Sequence, residues 1–247
     1  MKICIIGPTW PFRGGIAHYT TLLVKHLREA HHQVRFISYL KQYPKWLYPR
    51  NTAMDPSPDS SVLKIDSDRI LTPLNPWTWW KAYQIIKDEQ PDLLILQWWT
   101  PFFSPMLFML TRLLRRNTNI RVVFLLHHPI PPDGGVFDWY LARRILWRGN
   151  GFIVMSEEDF ALLRRALPWA RIKGTTHPPY DVFTREPLPK EAARAQLNLK
   201  PDDNVVLFFG FVRRYKGLKY LIEAMAKVRK EMPAKLLVVG EFWEDER

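Results

Sequence analysis

The stretch that decides the fold class runs from Lys2 to Gly15 and reads Lys-Ile-Cys-Ile-Ile-Gly-Pro-Thr-Trp-Pro-Phe-Arg-Gly-Gly. Residues 3–6 form an apolar run, which makes Lys2–Ile6 typical of a buried strand, and the glycine pair opens a helical pattern that extends to Ala30. A second candidate strand, Gln33–Ser38, follows directly. Apolar strands separated by helices predict a parallel sheet covered on both faces, hence an α/β protein.

The same alternation continues to about residue 174. Further strands are predicted at Val62–Ile65, Leu93–Gln97, Arg121–Leu126, Gly151–Met155 and near Arg171–Gly174, with helices at Pro76–Glu89, Ser104–Arg116, Val136–Arg148 and Ser156–Ala166. A proline-rich stretch with a short helix at Lys190–Leu197 then precedes one fresh strand–helix–strand unit, with strands at Val205–Phe209 and Lys235–Val239 and a helix at Lys216–Met232 between them.

This change of texture predicts three segments: a first domain over residues 1–180, a linker with a short helix over residues 181–203, and the start of a second domain over residues 204–247. A lone strand–helix–strand unit leaves sheet edges and faces uncovered. We therefore expect the chain to be the front part of a longer two-domain protein. The alternative is one compact domain in which the last unit extends the first sheet.

Composition narrows the function classes. The 247 residues are 47% hydrophobic and carry a net charge of +12, of which +9 lies in residues 1–150. Such a chain is too apolar to be disordered, and its basic half indicates an anionic partner or a basic solvated surface. Cys4 is the only cysteine, so no disulfide can form within the chain, which favours a reducing compartment.

Residues 93–111 are the one candidate for a membrane span, because nineteen consecutive residues carry no formal charge. Pro101 and Pro105 interrupt this stretch, so a buried strand followed by a separate helix is the better interpretation. The helix that contains Arg143, Arg144 and Arg148 mixes arginines with aromatic residues. It could lie on an anionic bilayer, although a core helix with snorkelling arginines is the more frequent case.

Three constellations could bind a ligand. Gly14 and Gly15 expose a helix N-terminus to a phosphate or sugar, although a simple turn explains them equally well and the G-x-G-x-x-G spacing is absent. His127 and His128 follow a strand at the edge where parallel sheets bind ligands, with a backbone-bonded loop histidine as the alternative.

The third constellation is the loop Gly210–Gly217. Arg213, Arg214 and Lys216 place three cations before a helix, where they are unfavourable unless an anion binds, so the loop could hold a diphosphate. His177 lies at the proline-rich linker and is a weaker candidate. The sequence shows no metal-ligand spacing, nucleophile elbow or nucleic-acid motif.

Taken in order, these motifs resemble a family 4 glycosyltransferase of the retaining GT-B class. The resemblance covers essentially the whole chain and rests on the Gly14-Gly15 helix start, the His127 strand end, the His177-Pro178 linker, and Phe208-Phe209-Gly210 with Arg213-Arg214-Tyr215-Lys216-Gly217-Leu218 leading into Tyr220-Leu221-Ile222-Glu223-Ala224.

The resemblance implies two Rossmann-like domains, here a whole first domain on the acceptor side and an incomplete second, donor-binding domain. It implies that Arg213 and Lys216 neutralise the donor diphosphate with help from Arg214, and that Gly14 and Gly15 approach the phosphates or the sugar. His127 would contact the transferred sugar at the reacting centre, with His128 as its competitor for that role.

The implied activity is metal-independent transfer of a sugar from a nucleotide-sugar donor with retention of configuration, without a cofactor. The family's paired-glutamate motif is absent, so we expect weak or no turnover from this chain. The expected acceptor is lipid-linked or a growing glycan, and the expected location is the cytoplasm or the inner face of the membrane. The alternative is a non-catalytic basic protein that binds an acceptor, a membrane or nucleic acid; nucleic acid is not expected for the enzyme.

Overall fold

The computed structural model describes residues 1–44, 54–55, 64–129, 135–178 and 188–242. They form two compact units, which divide between Tyr180 and Asp181. Which unit serves an acceptor and which a donor stays a prediction.

The first unit contains a seven-stranded sheet in the order β3-β2-β1-β4-β5-β6-β7, and every neighbouring pair is parallel. The strands are β1 (Lys2–Ile6), β2 (Gln33–Tyr39), β3 (Asp68–Leu71), β4 (Leu93–Trp98), β5 (Arg121–Leu126), β6 (Gly151–Val154) and β7 (Ile172–Gly174). The helices are α1 (Gly15–Glu29), α2 (Pro76–Glu89), α3 (Ser104–Asn117), α4 (Val136–Leu146) and α5 (Glu157–Ala166). The predicted α/β class with a parallel sheet is confirmed.

Helical connections between parallel strands are almost always right-handed, so connections that run in opposite directions along the sheet place their helices on opposite faces. The connection through α1 moves from β1 to β2, whereas those through α3, α4 and α5 move across the sheet in the opposite direction. Two separate apolar clusters result: Tyr19 and Val24 of α1 pack with Ile5 and Phe36 on one face. The larger cluster on the other face contains residues of α2 to α5, such as Leu110.

The third strand lies at Asp68–Leu71, so the prediction of a strand at Val62–Ile65 is wrong where it can be compared. Residues 62–63 lie outside the described residues, and Lys64 and Ile65 have no strand structure. The sequence misleads because β3 is an edge strand that begins with two charged residues. Asp68 forms an ion pair with Arg35 of β2, which holds this polar segment against the sheet.

The apolar stretch at residues 93–111 divides between β4 and α3, as predicted from its prolines. Thr100 accepts a hydrogen bond from the backbone of Phe102 and starts a short 3-10 turn between them. Among the described residues, no helix has the length and apolar content needed to cross a membrane.

Cys4 lies in β1, between β2 and β4, and its side chain is buried. Burial is the main cause that raises the pKa of its thiol far above the usual value. The thiol is therefore un-ionised and packed inside the sheet.

The second unit contains α6 (Lys190–Gln196), β8 (Val205–Phe209), α7 (Leu218–Glu231) and β9 (Lys235–Val239). Strands β8 and β9 pair in parallel and form a sheet of their own, so the alternative in which they extend the first sheet is wrong. The predicted fresh strand–helix–strand unit is confirmed. The helix begins at Leu218, two residues later than predicted, because Gly217 adopts a left-handed conformation (φ 72°) and ends a 3-10 turn at residues 214–216.

Candidate functional site

The carboxyl edge of the large sheet carries the first group of candidate residues. Chain connections leave β1 and β4 in opposite directions, and in open α/β sheets this switch point creates a crevice for ligands. Gly7 directly follows β1, Gln97 lies near the end of β4, and His127 directly follows β5. The sheet therefore places these three residues at neighbouring strand ends.

His127 is held in place by two hydrogen bonds to β4. Its backbone N–H donates to the carbonyl of Trp98 at 2.9 Å. Its ring Nε2 lies 2.6 Å from Oε1 of Gln97. Because an amide oxygen only accepts, this placement of the Gln97 amide assigns the proton to Nε2 and leaves Nδ1 as an acceptor. A hydroxyl group that donates to Nδ1 fits this arrangement.

The His127 imidazole is held in its neutral form. Its side chain is only 9% exposed, and burial is the main cause that lowers its pKa to about 3, with smaller effects from His128 and His177. A neutral ring can donate or accept a hydrogen bond, but it is not a general acid near pH 7. The structure therefore favours a role in binding and orienting a hydroxyl group.

Gln97 is a functional candidate that the sequence reasoning missed. The side chain is 2% exposed, and its Nε2 has no hydrogen-bond partner among the described residues. A buried amide nitrogen of this kind costs free energy unless something accepts from it. In the sequence, the only sign of this role is that Gln97 is the one polar residue in the otherwise apolar strand β4. A single polar residue in a strand does not by itself indicate a functional site.

Gly7 allows Gln97 to take this position. A Cβ atom added to Gly7 would lie 2.6 Å from Cγ of Gln97 and 2.8 Å from Cγ2 of Thr20. Real Cβ contacts are essentially never this short. The glycine thus lets α1 and β4 pack together beside the ring of His127.

Tyr19, on α1, brings two predicted histidines together. Its ring meets the ring of His127 edge-on at 5.2 Å between centroids, and the ring of His177 lies 5.5 Å from Tyr19. His177 and His128 are both exposed. The structure therefore places His127 inside the packed group and His128 outside it, which separates the two candidates that the sequence left adjacent. Tyr19 itself was missed because its side chain fits the apolar pattern of α1.

Gly14 and Gly15 lie at the start of α1, beside a cavity of about 200 Å³. Gly14 has φ 109°, which favours glycine. In α1, which is described throughout, the first turn has no acidic residue and no side-chain cap. Arg13, Tyr43 and Trp99 also line the cavity, and Nε1 of Trp99 donates to the Tyr43 hydroxyl at 2.7 Å. A helix N-terminus with a nearby arginine is a suitable setting for a phosphate.

The predicted diphosphate loop lies in the second unit, between β8 and α7. Gly210 (φ 112°) turns the chain, and a Cβ there would lie 3.2 Å from Nζ of Lys216, so the Lys216 ammonium packs over the open side of this glycine. Gly240 approaches the Gly210 carbonyl so closely that a side chain at Gly240 would overlap it. The guanidinium of Arg213 lies 5.2 Å from the Tyr215 ring centroid. Arg214 is exposed.

The loop therefore gathers Lys216, Gly210 and Gly240 at the carboxyl ends of β8 and β9. The Lys216 side chain is exposed beside these two glycine backbones, and its ammonium group supplies a positive charge that an anionic group can pair with. No group of three metal-ligating side chains occurs within the described ranges of the chain.

Comparison with protein families identifies the scaffold. Residues 13–176 match the model described as Glycosyltransferase Family 4. The chain belongs to this family. Residues 189–247 match a second model, described as Glycosyl transferases group 1. The first match lies within the first structural unit and the second match within the second unit.

A curated relative, D-inositol 3-phosphate glycosyltransferase from Segniliparus rotundus, is 45% identical over 65 residues, or 26% of this chain and 14% of that protein. Sucrose-phosphate synthase from Thermosynechococcus elongatus shares the fold with a TM-score of 0.62 and 20% identity over 97% of this chain. The catalytic domain of starch synthase IV from Arabidopsis thaliana, bound to ADP and acarbose, also shares the fold. Its TM-score is 0.60, and it is 12% identical over 98% of this chain.

This family 4 chain spans 62% of the sucrose-phosphate synthase chain and 68% of the starch synthase chain. The structural likeness supports the GT-B, Rossmann-like fold.

Proposed function

We propose that this protein transfers a sugar from a nucleotide-sugar donor to an acceptor. The observation that carries the proposal is the His127–Gln97 pair, which lies at the switch point of a family 4 scaffold. In the proposed reaction, the bond between the anomeric carbon and the diphosphate breaks and a bond to an acceptor oxygen forms. The acceptor proton passes to the departing phosphate oxygen, so that charge and atoms balance.

Negative charge grows on the leaving diphosphate, and we assign its stabilisation to Lys216 and Arg213, with Arg214 as a helper. Fixed cations and backbone N–H groups stabilise such charge without a metal ion. The Gly14-Gly15 helix start would approach the phosphates or the sugar. Because His127 is neutral, we give it the task of orienting a sugar hydroxyl. We propose that the acceptor attacks the face from which the diphosphate leaves, which retains the anomeric configuration.

The acceptor in this proposal is lipid-linked or a growing glycan. We place the reaction in the cytoplasm, in keeping with a chain whose single cysteine is an un-ionised buried thiol. The basic charge of the first unit supports peripheral contact with an anionic membrane. Since residues 1–247 span only part of the structural relatives, we expect weak or no turnover from them alone.

The Lys216→Ala variant tests the diphosphate assignment. Calorimetry with a panel of nucleoside diphosphates, on a form that includes any sequence beyond Arg247, should show about 10- to 100-fold weaker binding, the range for losing a charged hydrogen bond. Lys219→Ala is the matched control because Lys219 is an exposed lysine in the first turn of α7. Equal affinities of the two variants for the diphosphate that binds most tightly would contradict the assignment.

Membrane or nucleic-acid binding without any sugar transfer would favour the non-catalytic alternative.

A further inference from the structure

A second cavity lies between α3 and α4, at the edge of the sheet opposite to His127. Both helices run back against the strands, because they connect parallel neighbours. Their C-terminal ends therefore lie near the starts of β5 and β6, whereas His127 follows the end of β5. A strand of this length separates the two edges by about 20 Å. The cavity has a volume of about 380 Å³.

Arginines dominate the walls of this cavity. Arg115 of α3 and Arg143, Arg144 and Arg148 from the end of α4 line it, and Arg112 and Arg116 are close enough to affect Arg148. Within the described part of the chain, no carboxylate lies in ion-pair distance of these six arginines. Arg115 and Arg116 in the last turn of α3, and Arg143 and Arg144 in the last turn of α4, are favourable near a helix C-terminus. Together, however, the six arginines repel one another.

Arg148 shows the cost of this crowding. Its guanidinium stacks on the Phe108 ring at 4.1 Å, and its Nε is buried without a hydrogen-bond partner among the described residues. Burial, followed by the charges of the neighbouring arginines, lowers the pKa of Arg148. A bound anion would relieve the repulsion between these guanidinium groups. Phosphate suits this set because guanidinium groups bind its oxygens in pairs.

The exposed face of α4 indicates which kind of molecule carries this phosphate. Val136 is 87% exposed, Phe137 is 70% exposed, and Tyr140 and Trp147 are each 52% exposed. They follow one another at helical spacing on the side that also carries Arg143 and Arg144. The Trp147 ring packs edge-on against Trp169, which is itself 47% exposed. A soluble phosphate needs no apolar neighbours, whereas aromatic and basic residues together are typical of a helix in a membrane interface.

We propose that the cavity between α3 and α4 binds the phosphate of an anionic lipid headgroup while the exposed face of α4 lies in the membrane interface. This deepens the peripheral contact proposed above and does not depend on sugar transfer. The cavity lies at the edge of the sheet opposite to the crevice, so a phosphate bound in the cavity does not fill the crevice.

Vesicle sedimentation of the chain tests the proposal, with vesicles of phosphatidylcholine alone and of equimolar phosphatidylcholine and phosphatidylglycerol. We expect binding only to the second kind. The double variant Arg115→Gln/Arg144→Gln should partition about 30-fold more weakly, as expected for two cations near an anionic surface. The variant Arg229→Gln/Lys230→Gln is matched in charge and in its place in the last turn of a helix, here α7, and should bind like the original chain.

Trp147→Ala keeps all the arginines and should weaken vesicle binding without changing its preference for phosphatidylglycerol. Circular dichroism and a thermal melt check that each variant is folded. Equal loss in both double variants would overturn the proposal, since net charge alone would then explain binding. Pyrophosphate binding that depends on Arg115 and Arg144, in a chain that ignores both vesicles, would overturn the lipid source. Sugar transfer to a soluble acceptor, measured separately, tests the proposed function.

Discussion

Replacing His127 with glutamine is expected to remove part of the loss of stability that acid causes. The folded state holds the pKa of His127 at about 3, whereas an unfolded histidine has a pKa of about 6.5. Below about pH 6.5 the unfolded chain therefore binds a proton that the folded chain refuses. The stability that depends on this group is complete above that pH and is lost progressively as the pH falls towards about 3.

The size of the effect follows from the two pKa values. Between about pH 7.5 and about pH 5, protonation of the unfolded histidine lowers the free energy of unfolding by about 2 kcal/mol. His127→Gln does not titrate, so this part of the pH dependence should be absent from the variant. Any change in stability from the lost ring affects both pH values and cancels in the comparison.

Urea unfolding followed by tryptophan fluorescence measures the difference, since ten of the eleven tryptophans lie in the first unit. His128→Gln is the control, because it removes the adjacent, exposed histidine. Histidine NMR gives an independent readout, in which the His127 ring should remain neutral at about pH 5. A variant that loses as much stability as the original chain over this pH range, or a His127 ring that titrates near pH 6.5, would refute the reasoning.

Three substitutions test the packing around the two candidate sites. Gln97→Leu removes the group that accepts a hydrogen bond from the His127 ring, so it should lower the free energy of unfolding by about 1–3 kcal/mol. Histidine NMR should also show an altered tautomer of His127. An unchanged ring signal would contradict the hydrogen bond. Gly7→Ala should lower the free energy of unfolding, measured in urea, by about 1–3 kcal/mol because the added methyl group overpacks Gln97. Gly135→Ala is the control, because a Cβ atom there meets nothing within 4 Å. Equal stabilities of the two variants would count against the close contact at Gly7. Gly240→Ala should accelerate hydrogen exchange in β8 and β9 and leave the first unit unchanged; protection equal to that of the original chain would refute the close approach.

The sequence predicted most of the sheet because its inner strands are continuous apolar runs. β1 and β5 have the predicted bounds, because a strand whose two faces are both covered by helices is apolar over most of its length. β3 was misplaced because an edge strand can begin with charges that form an ion pair across to β2. The strand propensities of residues 68–71 alone do not reveal this ion pair, because its partner lies in another strand.

The candidate site could be predicted only in part. His127 was recognisable because a polar residue directly follows an apolar strand. Gln97 and Tyr19 were not, since their importance depends on which strand ends and helix meet, and this is fixed by strand order. The two-residue delay at the start of α7 has a similar cause, because the left-handed conformation of Gly217 leaves Lys216 in a turn.

The buried thiol of Cys4 provides a way to measure how often the sheet of the first unit opens. This thiol lies in a central strand and stays un-ionised while the sheet is intact, so an alkylating reagent can reach it only when β1 opens. The rate of labelling in the absence of denaturant therefore reports how often the centre of the sheet opens. For the same reason, a cysteine introduced on an exposed residue of α4 could carry a spectroscopic probe without first removing Cys4.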